Sequence, residues 1–194
     1  MGFDEKAATW DASKRRRELA KGVAQGVKDS ISLDKSMQIL DFGAGTGLLT
    51  REIIESVASV TGVDSSEKML EKFREIGDSC ITAHCDINKY QPNRLFDGII
   101  SSMTMHHIED IEALFLKLYS LLKPGGFIAI ADLREEDGTF HDGGNEGVCH
   151  FGFDTKKLED IAKSAGFKSV KSETVYSVSK GEREYPIFLL TAKK

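Results

Sequence analysis

The 194-residue sequence holds only three cysteines, Cys80, Cys85 and Cys149, and their spacing fits neither a disulfide framework nor a zinc pairing. A reducing, cytoplasmic compartment is the expectation. Basic charge is also short: 26 Lys and Arg against 31 Asp and Glu leave a formal net charge of −5, whereas nonspecific nucleic-acid binding needs Lys and Arg to neutralise phosphates. The expected partner is a small molecule, not nucleic acid. No charged-then-apolar leader opens the chain and the longest apolar runs are strand-sized, so neither a signal peptide nor a membrane span is expected. Repeats and low-complexity tracts are lacking, and the length suits one α/β domain better than two, so residues 1–194 are read as a single domain. Oligomeric state leaves no mark in the sequence.

What is present is alternation. From residue 37 onward, strand-like runs at Met37–Phe42, Ser59–Val63, Cys80–Cys85, Phe96–Ser101 and Phe127–Asp132 are separated by segments with apolar residues at helical spacing. That pattern marks a parallel sheet covered by helices. Leu49, Ile53 and Val57, then Met69, Phe73 and Ile76, then Ile111, Leu114, Phe115, Leu118 and Leu122 each line one side of a helix. Residues 1–35 form a helical entry, with Leu19, Ala20, Val23, Ala24 and Val27 as its apolar stripe behind the basic run Lys14 to Arg17. Asp154 caps a late helix that Gly166 stops. Two last strands, Ser169–Val178 and Tyr185–Ala192, are joined through polar Ser179 to Glu184 and read as an antiparallel pair. Residues 133–153 have no period, and a connection that long beside the carboxyl ends of the strands reads as a substrate-side loop.

The strongest local signal is Ile39-Leu40-Asp41-Phe42-Gly43-Ala44-Gly45-Thr46-Gly47. Glycines at alternate positions let a buried strand turn sharply and bring bare backbone to a ligand at a helix N-terminus. A plain strand-to-helix turn is the simpler alternative, and two further acids count against it. Asp64 closes the second strand, where a carboxylate can accept from both hydroxyls of a ribose; Asp86 closes the third, near an adenine amino group, with the Ile87 amide beside it. A nicotinamide-binding fold also uses a glycine turn and an acid, but its Gly-x-Gly-x-x-Gly places the third glycine one residue later than here.

On these motifs the chain resembles the class I S-adenosylmethionine-dependent methyltransferases, in the broad small-molecule group that includes the quinone-biosynthesis enzymes. The likeness covers nearly the whole length: Asp41 to Gly47 matches the family's Asp-x-Gly-x-Gly-x-Gly signature, Asp64 its ribose acid and Asp86 its adenine-side acid. Leu121 to Gly126 is similar to its recurrent turn, and Phe3 to Asp11 to its aromatic N-terminal entry. The resemblance implies a three-layer, Rossmann-like α/β fold with a seven-stranded sheet of order 3-2-1-4-5-7-6 and an antiparallel seventh strand. It implies S-adenosylmethionine as cofactor, held by Asp41, Gly43, Ala44, Gly45, Gly47, Asp64, Ser65, Asp86, Ile87 and Ser101.

Methyl transfer from a sulfonium is an in-line displacement, so the protein aligns the partners and excludes water, and supplies a base only for a protonated acceptor. The fourth strand runs into Ser102-Met103-Thr104-Met105-His106-His107, beside the cofactor's methionine part in the resembled family. His106, His107, His141 and His150 are the candidate acceptor-side residues, weighed against roles as caps or surface groups. No metal is expected, since the loop's histidines and Cys149 match no common zinc spacing. Phe3 and Trp10 either cover the cofactor or, for Trp10 by preference, pack in the core. A non-catalytic S-adenosylmethionine-binding subunit is the alternative to an enzyme, because the cofactor-binding residues would be the same.

Overall fold

Seven strands form the frame of the computed structural model, which describes residues 2–194: β1 Gln38–Phe42, β2 Ser59–Asp64, β3 Cys80–His84, β4 Phe96–Ser102, β5 Leu122–Leu133, β6 Lys168–Lys180 and β7 Arg183–Lys193. Their order is β3-β2-β1-β4-β5-β7-β6. The first five are mutually parallel, and β7 runs antiparallel to both β5 and β6. This is the order implied by the resemblance. The strand order changes direction between the parallel neighbours β1 and β4, which opens a crevice at their carboxyl ends, where open α/β sheets receive ligands.

Both faces of the sheet are covered, so the central strands read as continuous apolar runs. The period of two sends Ile39, Ile100 and Ala129 to one core and Leu40, Ile99 and Ile128 to the other. The first core is closed by α2 (Lys14–Ser30), α3 (Leu48–Ile53) and α4 (Glu67–Arg74), the second by α5 (Ile111–Leu121) and α6 (Thr155–Ser164). Each fully buried leucine or phenylalanine, such as Leu70 or Phe73, contributes roughly 1.5–3 kcal/mol relative to exposure. The helices begin where polar side chains take up orphan amides: Ser13 accepts from Arg16 N, Ser66 from Met69 N, Asp110 from Ala113 N, and Asp154 from Lys156 N and Lys157 N. A short α1 (Phe3–Lys6) and a 3-10 turn (Ala7–Ala12) precede them.

Two boundaries differ from the sequence reading. The loop expected at Ser179 to Glu184 contracts to Gly181 and Glu182, with Gly181 at φ 62°, because Ser179 pairs with Glu184 and Lys180 with Arg183 in the ladder. An edge hairpin places polar residues on its wet face without leaving the strand, so polarity alone misplaced the turn. Likewise β5 starts at Leu122, which pairs with Phe96 before a register shift, rather than at Phe127.

Close packing at the sheet's centre depends on Gly98. A Cβ there would lie 2.2 Å from the Phe127 ring, far inside contact distance. Gly98→Ala is therefore expected to cost about 1–3 kcal/mol through overpacking, seen as a lower urea midpoint with an unchanged slope.

Candidate active site

The crevice holds a cavity of about 290 Å³, near the lower end of the range for small-molecule sites. Its floor is the turn after β1. Gly43, Gly45 and Gly47 all have positive φ, at 62°, 54° and 84°. Gly43 also makes room, since a Cβ there would meet Thr104 Cγ2 at 2.1 Å. Gly45 faces open space. Gly47 serves packing: its Cβ would strike Ile76 and Phe73, and it does not line the cavity, whereas Asp41, Gly43, Ala44 and Gly45 do. The turn's amides are largely consumed internally: Gly43 N and Ala44 N donate to Val63 O, and Gly47 N donates to Ala44 O.

Asp64, at the end of β2, locks this turn. Its Oδ2 accepts from Gly45 N at 2.8 Å and its Oδ1 from Ser66 N at 2.8 Å. Each oxygen keeps a further lone pair, and the residue lines the cavity with Ser65. Burial raises the Asp64 pKa, opposed by the amides of Ser66, Gly45 and Ser65. Asp41 lies deeper, 2% exposed, and accepts from Thr50 Oγ1 at 2.7 Å. Burial pushes its pKa up to about 7, the Thr50 bond opposes that shift and nearby Asp64 adds to it. Asp86 caps the 3-10 turn Ile87–Lys89 through Asn88 N at 2.7 Å, and both Asp86 and Ile87 line the cavity. Ser101 does not. Its hydroxyl donates to Phe42 O at 2.8 Å and is wholly buried. The alternation of β4 instead brings Ser102 to the wall.

Of the four candidate histidines, His107 alone lines the cavity. Its Nδ1 lies 2.7 Å from Gly147 O; a carbonyl only accepts, so Nδ1 carries the proton and Nε2 the lone pair. Burial and the neighbouring His106 ring lower its pKa, which keeps it neutral at pH 7. His106 sits behind it, 1% exposed, with Nδ1 2.7 Å from Asp132 Oδ1. His141 is drawn against both, its ring centroid 5.1 Å from His106 and 6.2 Å from His107. Burial, then His106 and His107, lower its pKa. His150 is turned away: Nε2 meets Ile108 O at 2.9 Å and the ring packs on Phe153. Its main chain helps anchor the 133–153 loop, since Cys149 N and His150 N both donate to His106 O.

The N-terminal entry forms part of the wall. Asp4 accepts from the Ser66 hydroxyl and Asp11 from that of Thr46, strapping the entry across the ends of β1 and β2. Phe3 and Trp10 both line the cavity, 5.9 Å apart in an edge contact, and Phe3 meets the His107 ring at 5.5 Å. Trp10 is thus not a core residue. The Arg16 guanidinium stacks 3.7 Å over its ring. In the same basic run, Arg15 pairs with Asp142 of the 133–153 loop at 2.9 Å on the surface. Met103 and Thr104 are also in the wall, although the sequence singled out neither of them within its segment; Met103 holds φ 58°, strain of a kind that collects at functional sites.

Residues 12–172 match the family described as a methyltransferase domain. An uncharacterized methyltransferase of Schizosaccharomyces pombe is 32% identical over 157 residues, 70% of this chain and 55% of its own. The trans-aconitate 2-methyltransferase of Enterobacter sp. (strain 638) is 28% identical, over 74% of this chain and 58% of its own. Among solved structures, phosphoethanolamine N-methyltransferase 2 of Haemonchus contortus, bound to phosphomonomethylethanolamine and S-adenosylhomocysteine, superposes with a TM-score of 0.72 at 21% identity, covering 88% of this chain and 52% of that one. The chain spans little more than half the length of these relatives. No helix among the described residues is long and apolar enough to cross a membrane. Strand order, glycine turn and family match agree, and the chain belongs to the class I, Rossmann-like family of S-adenosylmethionine-dependent methyltransferases.

Proposed function

We propose that this chain is an enzyme that transfers a methyl group from S-adenosylmethionine to a small-molecule acceptor by in-line displacement. The observation that carries this reading is one cavity lined by the glycine turn, Asp64, Asp86 and His107 together. The residues suit the cofactor chemically: Asp64 has spare acceptor capacity for ribose hydroxyls, Asp86 and the Ile87 amide suit the adenine edge, and Asp41 and Gly43 to Gly45 border the remaining wall. When bound, the cofactor supplies an electrophilic methyl on a cationic sulfur.

The chain's own contribution is alignment and exclusion of water. Phe3 and Trp10 close the cavity from the N-terminal side and present aromatic faces, which attract a cation. His107 is placed to accept a proton at Nε2 from an acceptor, with Gly147 O holding its tautomer. The 133–153 loop, tied to the His106 carbonyl and to Arg15, supplies none of the cavity-lining residues itself and bears on the acceptor through Gly147 O on His107. Three free thiols, Cys80, Cys85 and Cys149, suit a cytoplasmic setting, and the net charge suits a small acceptor rather than nucleic acid.

Calorimetric titration tests the reading. Saturable binding of S-adenosylmethionine and S-adenosylhomocysteine but not NAD is expected, followed by S-adenosylhomocysteine release in a panel of small tricarboxylates and phosphorylated amines. Absence of adenosyl binding overturns the proposal. Binding without turnover across that panel would favour the non-catalytic subunit.

A further inference from the structure

Three histidines beside the cavity wall converge in a way that the methyl-transfer reading does not require. His106, His107 and His141 each offer one ring nitrogen, and the three nitrogens lie within 4.8 Å of one another. They come from two distant segments, the turn after β4 and the loop after β5, so sequence spacing hides the group. We propose that His106, His107 and His141 form a binding site for a divalent transition-metal ion of the zinc or iron(II) class. This site goes beyond the proposed transferase activity, and ion binding does not depend on that reading.

The orientation of each ring supports the assignment. His106 uses Nδ1 for Asp132 Oδ1 at 2.7 Å, which leaves Nε2 as its free ring nitrogen, and that Nε2 is buried without any hydrogen-bond partner. The side chain is only 2% exposed. His107 uses Nδ1 for Gly147 O at 2.7 Å, again leaving Nε2. A carboxylate or carbonyl on the outer nitrogen is the arrangement that fixes a metal-binding imidazole. His141 contributes a second buried ring nitrogen without a partner, Nδ1. Buried polar atoms are almost always satisfied, so two orphaned ring nitrogens in one cluster point to an absent ligand. Neutral imidazoles without a thiolate suit borderline cations rather than calcium or magnesium, which take oxygen ligands.

Three protein ligands leave a fourth position open, as in catalytic rather than structural zinc sites, and His107 places that ion on the border of the cavity. Metal–nitrogen bonds near 2.1 Å put tetrahedral ligands about 3.4 Å apart, so the widest pair closes inward on binding. His141 sits on the 133–153 loop and is the ligand placed to move. A bound ion also occupies the His107 lone pair, so proton acceptance there and metal binding exclude each other.

The test is calorimetric titration of chelator-treated, full-length protein with Zn²⁺, repeated with Co²⁺ for its absorption spectrum. One equivalent is expected to bind, with tetrahedral-type Co²⁺ bands. Affinity should fall at least 10-fold in His141→Ala, and 10- to 100-fold in Asp132→Asn, which alters only the positioning residue. Cys149→Ser should bind as the wild type does. Far-UV circular dichroism and S-adenosylhomocysteine titration of each variant separate lost ligands from lost fold, and failure of adenosyl binding alone leaves the metal result standing. No binding to the wild-type chain, or unchanged affinity in a folded His141→Ala variant, overturns the site.

Discussion

Substituting Ala for Asp64 is expected to weaken S-adenosylmethionine binding roughly 30- to 100-fold, about 2–3 kcal/mol, the range for hydrogen bonds to a charged group. Two losses combine. The carboxylate that would accept the ribose hydroxyls is gone, and the amides of Gly45 and Ser66 lose the acceptor that each holds at 2.8 Å. The second loss loosens the glycine turn itself, so the cavity becomes less preorganised as well as less polar. Asp64→Asn keeps one acceptor oxygen and should fall between the two. The comparison is calorimetric, with thermal melting run beside it. Equal affinity in the wild type and Asp64→Ala would remove Asp64 from the cofactor site and leave it as a structural tie alone.

Asp41 should contribute stability that is lost as pH rises from about 4 to 7, and Asp41→Asn should remove that contribution. Asp41 has a folded-state pKa of about 7 against an ordinary 3.8, chiefly through burial. Between those values the native chain holds a proton that the unfolded chain has released, so each step up in pH favours unfolding. The contribution is fully present below pH 3.8 and lost through pH 7. Three pH units correspond to about 4 kcal/mol, an upper figure for one group. Exposed carboxylates with lowered pKa, such as Asp34 and Glu184, push the opposite way, so the informative quantity is the difference between variant and wild type. An asparagine oxygen can still accept from Thr50, so Asp41→Asn should gain on the wild type above pH 7 and lose that gain towards pH 4. Urea midpoints across the range decide it; parallel curves would mean that Asp41 titrates normally. The same physics links binding to protons: a cationic ligand in the cavity favours ionised Asp41 and Asp64, so cofactor affinity should rise through this range.

Much of the frame was legible because a few local rules act without tertiary help. Strand-sized apolar runs located the strands, Asp154 and Gly166 bounded α6, and Asp41 to Gly47 announced the turn into α3. The edge hairpin was less legible, since Ser179 and Glu184 are as compatible with a wet strand face as with a loop. Ser101 and Ser102 show the limit of a residue-by-residue reading: a shift of one position decides which hydroxyl meets Phe42 O and which meets the cavity.

Composition and local pattern determined the α/β class and the placement of Asp64 and Asp86 at successive strand ends, because those properties depend on periodicity and on neighbours within a few residues, whereas the strand order came only as what the family resemblance implies. Tertiary structure alone decided which histidines meet. His106 and His107 are 35 and 34 residues from His141 in number, and only the return of the 133–153 loop onto the His106 carbonyl brings their rings together. The same holds for Trp10, which joins the cavity wall because Asp4 and Asp11 tie the N-terminal entry to Ser66 and Thr46. Contacts between segments that are distant in sequence have no periodic signature, and they form only when the sheet has set the distance between its loops.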